Sequence, residues 1–450
     1  MSKGIAVGAK VVVVGLGVTG VSCVRYLVRN GVMPVLVDTR AEPPGLAALR
    51  NEFPALRVHT GEMPSAVLNS AEQILLSPGV ALQTPAIAVA QAHGVEVIGD
   101  IELFARHARA PVVAITGSNG KSTVTTLVGE MGKRAGRDTA VGGNLGTPAL
   151  DLLRDPEPDL YVLELSSFQL ETTHSLAPAS ATVLNISPDH MDRYATVGDY
   201  AAAKQRIFGQ AKVKVVNQDD AAVMAMVSGN SGVVGFSLDF PIDGGFGILP
   251  VAGERWLAQG DKPLLPVSEL RLAGDHNVAN ALAALALGVA VNLPMHAMLS
   301  VLREFTGLPH RTQLVAEKNG VRWYNDSKGT NVGATLAAIA GLPGPLVLIA
   351  GGDGKGQDFS PLRDSLADKV CAVVLIGRDA LLIEAAIANA VPVVHATSMA
   401  DAVVRAAELA QSGTSVLLSP ACASFDMFHN YAHRGDVFAI EAQKWVSHGH

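Results

Sequence analysis

Two glycine-rich turns, each following a run of β-branched residues, mark where this chain can hold phosphate. In the second, Val112-Val113-Ala114-Ile115-Thr116 reads as a buried strand and Gly117-Ser118-Asn119-Gly120-Lys121-Ser122-Thr123 leads from it into a helix. Glycine amides and a helix N-terminus face an anion in such a turn, the lysine reaches the terminal phosphates and the serine offers oxygen to Mg²⁺. The longer glycine frame of the usual phosphate loop would place a glycine at position 115, where this chain has Ile115. The turn is therefore a shortened G-x-x-G-K-S variant.

A metal at phosphate needs acids nearby. Tyr161-Val162-Leu163-Glu164 ends a strand with a carboxylate, and Asp189-His190-Met191-Asp192 follows the strand expected over Thr182–Ile186. Side chains at the carboxyl ends of parallel strands lie where open α/β sheets bind ligands. On its own the Asp-His pair also reads as a surface hydrogen-bonding pair; the phosphate loop beside it favours metal or phosphate duty.

The first turn is Gly15-Leu16-Gly17-Val18-Thr19-Gly20, after the strand Val11–Val14, with Asp38 closing the next strand. This layout fits a dinucleotide or nucleotide sugar, the acid being placed for a ribose hydroxyl, and Arg40 is placed for a phosphate or base edge. A packing turn without ligand also fits, and sequence arithmetic on this layout alone would choose an NAD-dependent dehydrogenase, a reading that leaves the phosphate loop, Glu164 and His190 unexplained. Further polar clusters are Gly274–Asn280, Leu308–Arg311, Asn325–Asn331, Gly351–Lys355 and Ser419–Asp426. Asn277 and Asn280 share a helix face, although Asn277 also reads as a simple cap.

Positioning these groups requires βαβ units. Short β-branched runs alternate with Ala/Leu-rich stretches along all 450 residues, the pattern of parallel sheets covered by helices. The fold expected is α/β in three domains: a Rossmann-like domain over 1–100, a central phosphate-loop domain with a parallel sheet over 101–307, and a second Rossmann-like domain over 308–450. An antiparallel insertion is expected over Phe246–Leu272, and helices over Asn277–Val291, Ala380–Ala390 and Met399–Gln411.

Composition narrows the partners. Lys and Arg number 34 against 41 Asp and Glu, a net charge of −7, which argues against a nucleic-acid groove or a polybasic membrane anchor. The apolar run Val11–Val24 is broken by three glycines and is shorter than the ~20 residues a membrane span needs. Cys23, Cys371 and Cys422 are scattered without a CxxC pair, which fits a reducing compartment. A cytoplasmic protein is expected.

Taken together, the motifs resemble the Mur ligases from end to end. The resemblance rests on Gly-Ser-Asn-Gly-Lys-Ser-Thr at 117–123, Glu-Leu-Ser-Ser-Phe-Gln-Leu-Glu at 164–171, Asp-His-Met-Asp-Arg at 189–193 and His-Asn-x-x-Asn at 276–280. Leu-Pro-His-Arg at 308–311, Asn-Asp-Ser-Lys at 325–328 and Ser-Pro-Ala-Cys-Ala-Ser at 419–424 complete it. The Ser-Ser-Phe-Gln-Leu-Glu block and Leu-Pro-His-Arg point to the D-glutamate-adding branch.

The resemblance implies ATP-dependent joining of D-glutamate to UDP-N-acetylmuramoyl-L-alanine through an acyl phosphate, in peptidoglycan precursor synthesis, by a monomer using ATP and two Mg²⁺ ions. Carried over by position, Gly117, Ser118, Asn119, Gly120, Lys121, Ser122, Thr123, Asn280, Arg311 and Asp326 contact ATP. Gly17, Val18, Thr19, Asp38, Thr39, Arg40, Asn144 and His190 serve the UDP substrate. Ser122 and Glu164 hold one metal ion; His190 and a carbamylated Lys204 hold the other. Lys328, Thr330, Lys355, Ser424 and Phe425 face D-glutamate. Without the resemblance, Lys204 in Tyr200-Ala201-Ala202-Ala203-Lys204 reads as an ordinary helix lysine. Phe425 and Tyr431 stand where the family often has Leu and Phe, which puts the shape of the amino-acid pocket in question. The same motifs also allow a nucleotide-sensing protein without catalysis, or a ligase like folylpolyglutamate synthase.

Overall fold

A computed structural model describes residues 5–229, 231–272, 274–388 and 390–448. Their strands form three sheets, each built from one stretch of the chain. The first sheet has five parallel strands in the order Val58–Thr60, Val35–Asp38, Val11–Val14, Gln73–Leu76, Glu96–Ile98. Its order reverses beside Val11–Val14, so the first glycine turn opens at the switch point where such sheets take ligands.

The second sheet has nine strands. Val112–Thr116 lies between Ser180–Val183 and Leu160–Glu164, so the phosphate loop leaves the middle of the sheet. Thr139–Gly143 forms one edge. On the other side Val213–Asn217 and Val233–Phe236 continue the parallel run. The expected insertion is an antiparallel meander of Phe246–Val251, Glu254–Gln259 and Lys262–Pro266. It adds to the parallel sheet through Phe236 and Phe246 instead of standing apart.

The third sheet has six strands, in the order Gln313–Lys318, Val321–Asn325, Ser415–Leu418, Leu346–Gly351, Val370–Ile376, Val393–His395. All its pairings are parallel except the first hairpin.

Several elements differ from expectation. The strand placed over Thr182–Ile186 runs over Ser180–Val183, because the following residues turn to brace the phosphate loop: the Asn185 carbonyl accepts from Ser118 N–H at 2.9 Å. The long helix begins at Asp275 and ends at Ala290, with Gly274 as its cap at φ +93°, so Asn277 lies inside the first turn. The helices expected over Ala380–Ala390 and Met399–Gln411 end at Ile387 and Leu409, and Asn389 lies outside the described residues.

The Ala-rich stretch Ala281–Leu287 is buried throughout against the helix Lys121–Arg134 and the second sheet, which explains an apolar character on all sides. Among the described residues no helix is long and apolar enough to cross a membrane.

Candidate active site

The phosphate loop is shaped by glycine and braced by asparagine. Gly117 and Gly120 take φ of +149° and +84°, and a Cβ on Gly120 would collide with the Asn280 side chain, so both positions need glycine. Asn119 N–H donates to Asn185 Oδ1 at 2.8 Å, and Asn185 Nδ2 returns a bond to the Asn119 carbonyl at 3.1 Å. Lys121 opens the helix and folds its Nζ back onto the Gly117 and Ser118 carbonyls, each at 2.9 Å. Burial lowers its pKa, opposed by the charge of Glu164.

Ser122 joins two parts of the molecule. Its hydroxyl donates to Glu164 Oε2 at 2.6 Å and accepts from Arg311 Nη2 at 2.7 Å. Asn144 Nδ2 donates to the other Glu164 oxygen at 2.7 Å. Burial alone would raise the Glu164 carboxyl, but Lys121, Ser122 and Asn144 bring it below its ordinary value. An ionised acid thus sits beside the serine hydroxyl.

His190 and Lys204 share a cavity of about 230 Å³ with Lys121, Ser122, Asn144 and Glu164. His190 adopts φ +58° and packs edge-on against Phe168. Burial lowers its pKa despite Asp189 beside it, which leaves the neutral imidazole a metal needs. Lys204 is only 1% exposed. Its Nζ donates to Thr116 Oγ1 at 3.3 Å and lies 4.5 Å from the centre of the Tyr200 ring, and no ion pair with a carboxylate holds it among the described residues. Burial, followed by the charge of Lys121, pushes the amine well below the usual lysine range.

Asn280, Arg311 and Asp326 come together with Asn119, Gly120 and Thr123 in a cleft between the second and third sheets. Asp326 is buried and pushed up to about 6 by that burial, while Ser419 Oγ donates to it at 2.7 Å and Thr312 N–H at 3.1 Å. Lys328 and Thr330 line the catalytic cavity, the Lys328 ammonium resting 4.1 Å from the centre of the Tyr431 ring. Lys355 reaches across to Asp189, Nζ to Oδ1 at 3.3 Å.

The first turn opens onto a larger cavity of about 650 Å³, lined by Gly17, Val18, Thr19, Asp38, Thr39, Arg40 and Asn144. His190, expected there as well, lines the catalytic cavity and not this one. Asp38, expected at a ribose hydroxyl, is bonded to its own chain here. Its Oδ2 accepts from Leu16 N–H and Arg40 Nη2, both at 2.7 Å, and its Oδ1 accepts from Arg40 N–H and Nε, both at 2.9 Å. Burial would raise this acid, yet these donors bring it down to about 2. The acid ties the turn and aims Arg40, and both side chains line the cavity.

Phe425, Ser424 and Lys355, all expected to face D-glutamate, line none of these cavities in their present positions. Phe425 is 74% exposed, whereas Ser424 beside it is buried. Conversely, Asn331 and Asn185 carry roles that their sequence context did not assign. Asn331 exchanges side-chain bonds with Asn119 and donates to Asp189 Oδ2 at 3.2 Å, so it joins the third sheet's loops to the phosphate loop. Its place at the end of the Asn325–Asn331 polar run was the available signal.

Three family descriptions match in succession: Mur ligase MurD-like N-terminal domain over residues 9–99, Mur ligase middle domain over 115–288, and Mur ligase glutamate ligase domain over 310–422. The chain belongs to the Mur ligase family. It is 55% identical over 98% of both chains to the UDP-N-acetylmuramoylalanine–D-glutamate ligase of Nitrosococcus oceani. With the protein of that name from Pseudomonas aeruginosa it shares 56%, covering 95% of this chain and 96% of the relative. Among solved structures it resembles UDP-N-acetylmuramate-alanine ligase from Thermotoga maritima, at TM-score 0.61 and 17% identity over 97% of this chain and 99% of that one. A pseudomurein peptide ligase from Methanothermus fervidus matches at TM-score 0.60 and 18% identity, over 92% and 97%. At such identities the likeness concerns the fold.

Proposed function

We propose that this Mur ligase joins D-glutamate to UDP-N-acetylmuramoyl-L-alanine at the expense of ATP, as a step in peptidoglycan precursor synthesis. The observation that carries the reading is the convergence, on one cavity, of the phosphate loop, of Glu164, His190 and Lys204, and of Lys328 and Thr330 from the third sheet's loops. A carboxylate is a poor electrophile, so the γ-phosphoryl group passes first to the alanyl carboxylate and ADP departs. The amine of D-glutamate then attacks the acyl carbon, and phosphate leaves from the tetrahedral intermediate. Both steps crowd anionic oxygens together, and fixed cations must offset them.

Lys121 moves from its resting place on the loop carbonyls to the terminal phosphates, which the loop amides and helix N-terminus hold. Asn280, Arg311 and Asp326 contact the nucleotide, and Arg311 exchanges its bond to Ser122 for the phosphate. Thr19, Thr39, Arg40 and Asn144 orient the UDP substrate in the larger cavity. Lys328, Thr330, Lys355 and Ser424 receive the amino acid's charged groups.

Two Mg²⁺ ions would draw on donors of two kinds. Among the described residues no group of three or more His, Cys, Asp and Glu forms a metal site, so such ions need other oxygens. Ser122 and Glu164 supply a hydroxyl and an ionised carboxylate already in contact. A buried lysine whose amine is held neutral is suited to take up CO₂ as a carbamate, which would pair Lys204 with His190 as the second ligand set. Bound Mg²⁺ would supply charge neutralisation on the transferring phosphoryl group.

The free cysteines Cys23, Cys371 and Cys422 support a cytoplasmic setting. A dehydrogenase reading loses its main support, since Asp38 has both oxygens engaged by Leu16 and Arg40.

Phosphate release measured with ATP, UDP-N-acetylmuramoyl-L-alanine and each candidate amino acid tests the proposal. Turnover with D-glutamate alone is expected. A preference for L-alanine or diaminopimelate would move the assignment to another branch, and tight NADH binding with no phosphate release would end it.

A further inference from the structure

Arg434 is an anomaly in the third sheet's region. It is among the largest fully enclosed side chains, 1% exposed, yet no carboxylate pairs with it among the described residues. Burial lowers its pKa to about 10, so it remains a cation at neutral pH. A buried charge without a counterion is costly and persists only where other groups solvate it.

Here the solvation comes mostly from backbone. Nη2 and Nε donate to the carbonyl and hydroxyl of Ser327 at 2.8 and 3.0 Å. Nη1 donates to the Cys422 and Ala423 carbonyls at 3.1 and 3.3 Å. The Ala423 carbonyl also accepts from Asp353 N–H at 3.0 Å, and Ala423 N–H returns a bond to the Asp353 carbonyl at 2.8 Å. One guanidinium therefore stands where three loops meet, after the strands Val321–Asn325, Leu346–Gly351 and Ser415–Leu418. Those loops carry Lys328 and Thr330, Lys355, and Ser424 respectively.

We propose that Arg434 is a positioning residue for amino-acid recognition: its planar fork joins two of these loops directly and the third through the Ala423–Asp353 pair, and its charge adds to the positive field that a dicarboxylate meets. The inference rests on the ligase reading above. Arginine is the residue type this suits, because its rigid fork offers donors on three separate nitrogens, whereas a lysine's three donors radiate from one flexibly held nitrogen. Asp326 on the nucleotide side keeps hydrogen bonds of its own from Ser419 and Thr312, so the larger effect is expected on the amino acid.

The test is steady-state kinetics of the full chain and its Arg434→Lys and Arg434→Met variants, varying each substrate in turn, with thermal melting alongside. Loss of these charge-assisted bonds should raise KM for D-glutamate by about tenfold or more in Arg434→Met. KM for ATP and for the UDP substrate should stay within about twofold. Arg434→Lys should lie between, and it decides the matter alone if the methionine variant does not fold. An unchanged D-glutamate KM in a folded variant, or an equal rise in all three KM values, overturns the inference. A wild-type chain that releases no phosphate with D-glutamate defeats the ligase reading instead.

Discussion

The two glycine turns have the same local plan and opposite chemistry. Each follows a buried four- or five-residue strand and opens a helix at the carboxyl edge of a parallel sheet. In the first, the helix begins with Val18 and Thr19, and the nearby acid is consumed in holding Leu16 and Arg40. In the second, the helix begins with Lys121 and Ser122, and Glu164 stays ionised against the serine hydroxyl. The glycines do different work as well. A Cβ on Gly20 would strike the Gly15 carbonyl oxygen, a matter of packing, whereas one on Gly120 would strike Asn280, which lines the nucleotide cleft. A glycine turn after a strand therefore specifies a place for phosphate; the next two side chains and the acid opposite specify whether anything happens to it.

The largest contrast is expected at Lys121. Lys121→Ala should cut phosphate release by about a hundredfold or more, the scale of losing a fixed charge at a developing anion, while binding of the UDP substrate to the first cavity, followed by calorimetry, is unchanged. Comparable loss of that binding would merge the two turns into one functional unit. Next, Lys204→Ala should lose most activity and recover part of it with acetate, whose carboxylate stands in for the carbamate. A fully active alanine variant removes Lys204 from the site.

On the packing side, Gly20→Val should destabilise the chain by about 2–3 kcal/mol, the range for overpacking against backbone. Its chemical denaturation midpoint would fall, and an unchanged midpoint would contradict the close approach at Gly15. Arg40→Ala should raise KM for the UDP substrate by about tenfold, the loss of one charge-assisted contact, with KM for ATP unaltered.

The smallest effect is a pH limb. Asp38 is more acidic folded, at about 2, than its ordinary 3.8, so the unfolded chain binds the proton more readily. Its contribution to stability is complete above about pH 4 and fades as pH falls towards 2. Acid unfolding of Arg40→Ala should lose the side-chain part of this share, while the Leu16 and residue-40 N–H groups keep the rest. Identical acid limbs in both proteins would show that Arg40 does not hold the acid.

What escaped the sequence follows a physical pattern. Buried central strands such as Val11–Val14 and Val112–Thr116 announce themselves as β-branched runs, because both faces are covered. The strands that went unread include the sheet edges Val58–Thr60, Thr139–Gly143, Gln313–Lys318 and Val393–His395. Edges are short, polar or glycine-bearing, since they face water and must resist further pairing. In the same way, Lys204 and Arg434 look like surface cations in one dimension, and their enclosure depends on elements far away in the chain.

Residue types and near-neighbour spacing were enough to place two phosphate turns, a serine and acids at strand ends, and three parallel-sheet regions, because each depends on periodicity and backbone freedom within a few residues. Tertiary packing alone decided that Asp38 is bonded to Arg40 and Leu16, that His190 lines the cavity beside Lys204, that Phe425 is exposed, and that one guanidinium joins the loops after two strands. These outcomes depend on which carboxylates, amides and carbonyls come within hydrogen-bond reach of residues distant in the chain, as Leu16 does of Asp38 and Arg434 of Ser327. The glycine turns were local facts; the charge that makes one of them reactive is a property of the folded interior.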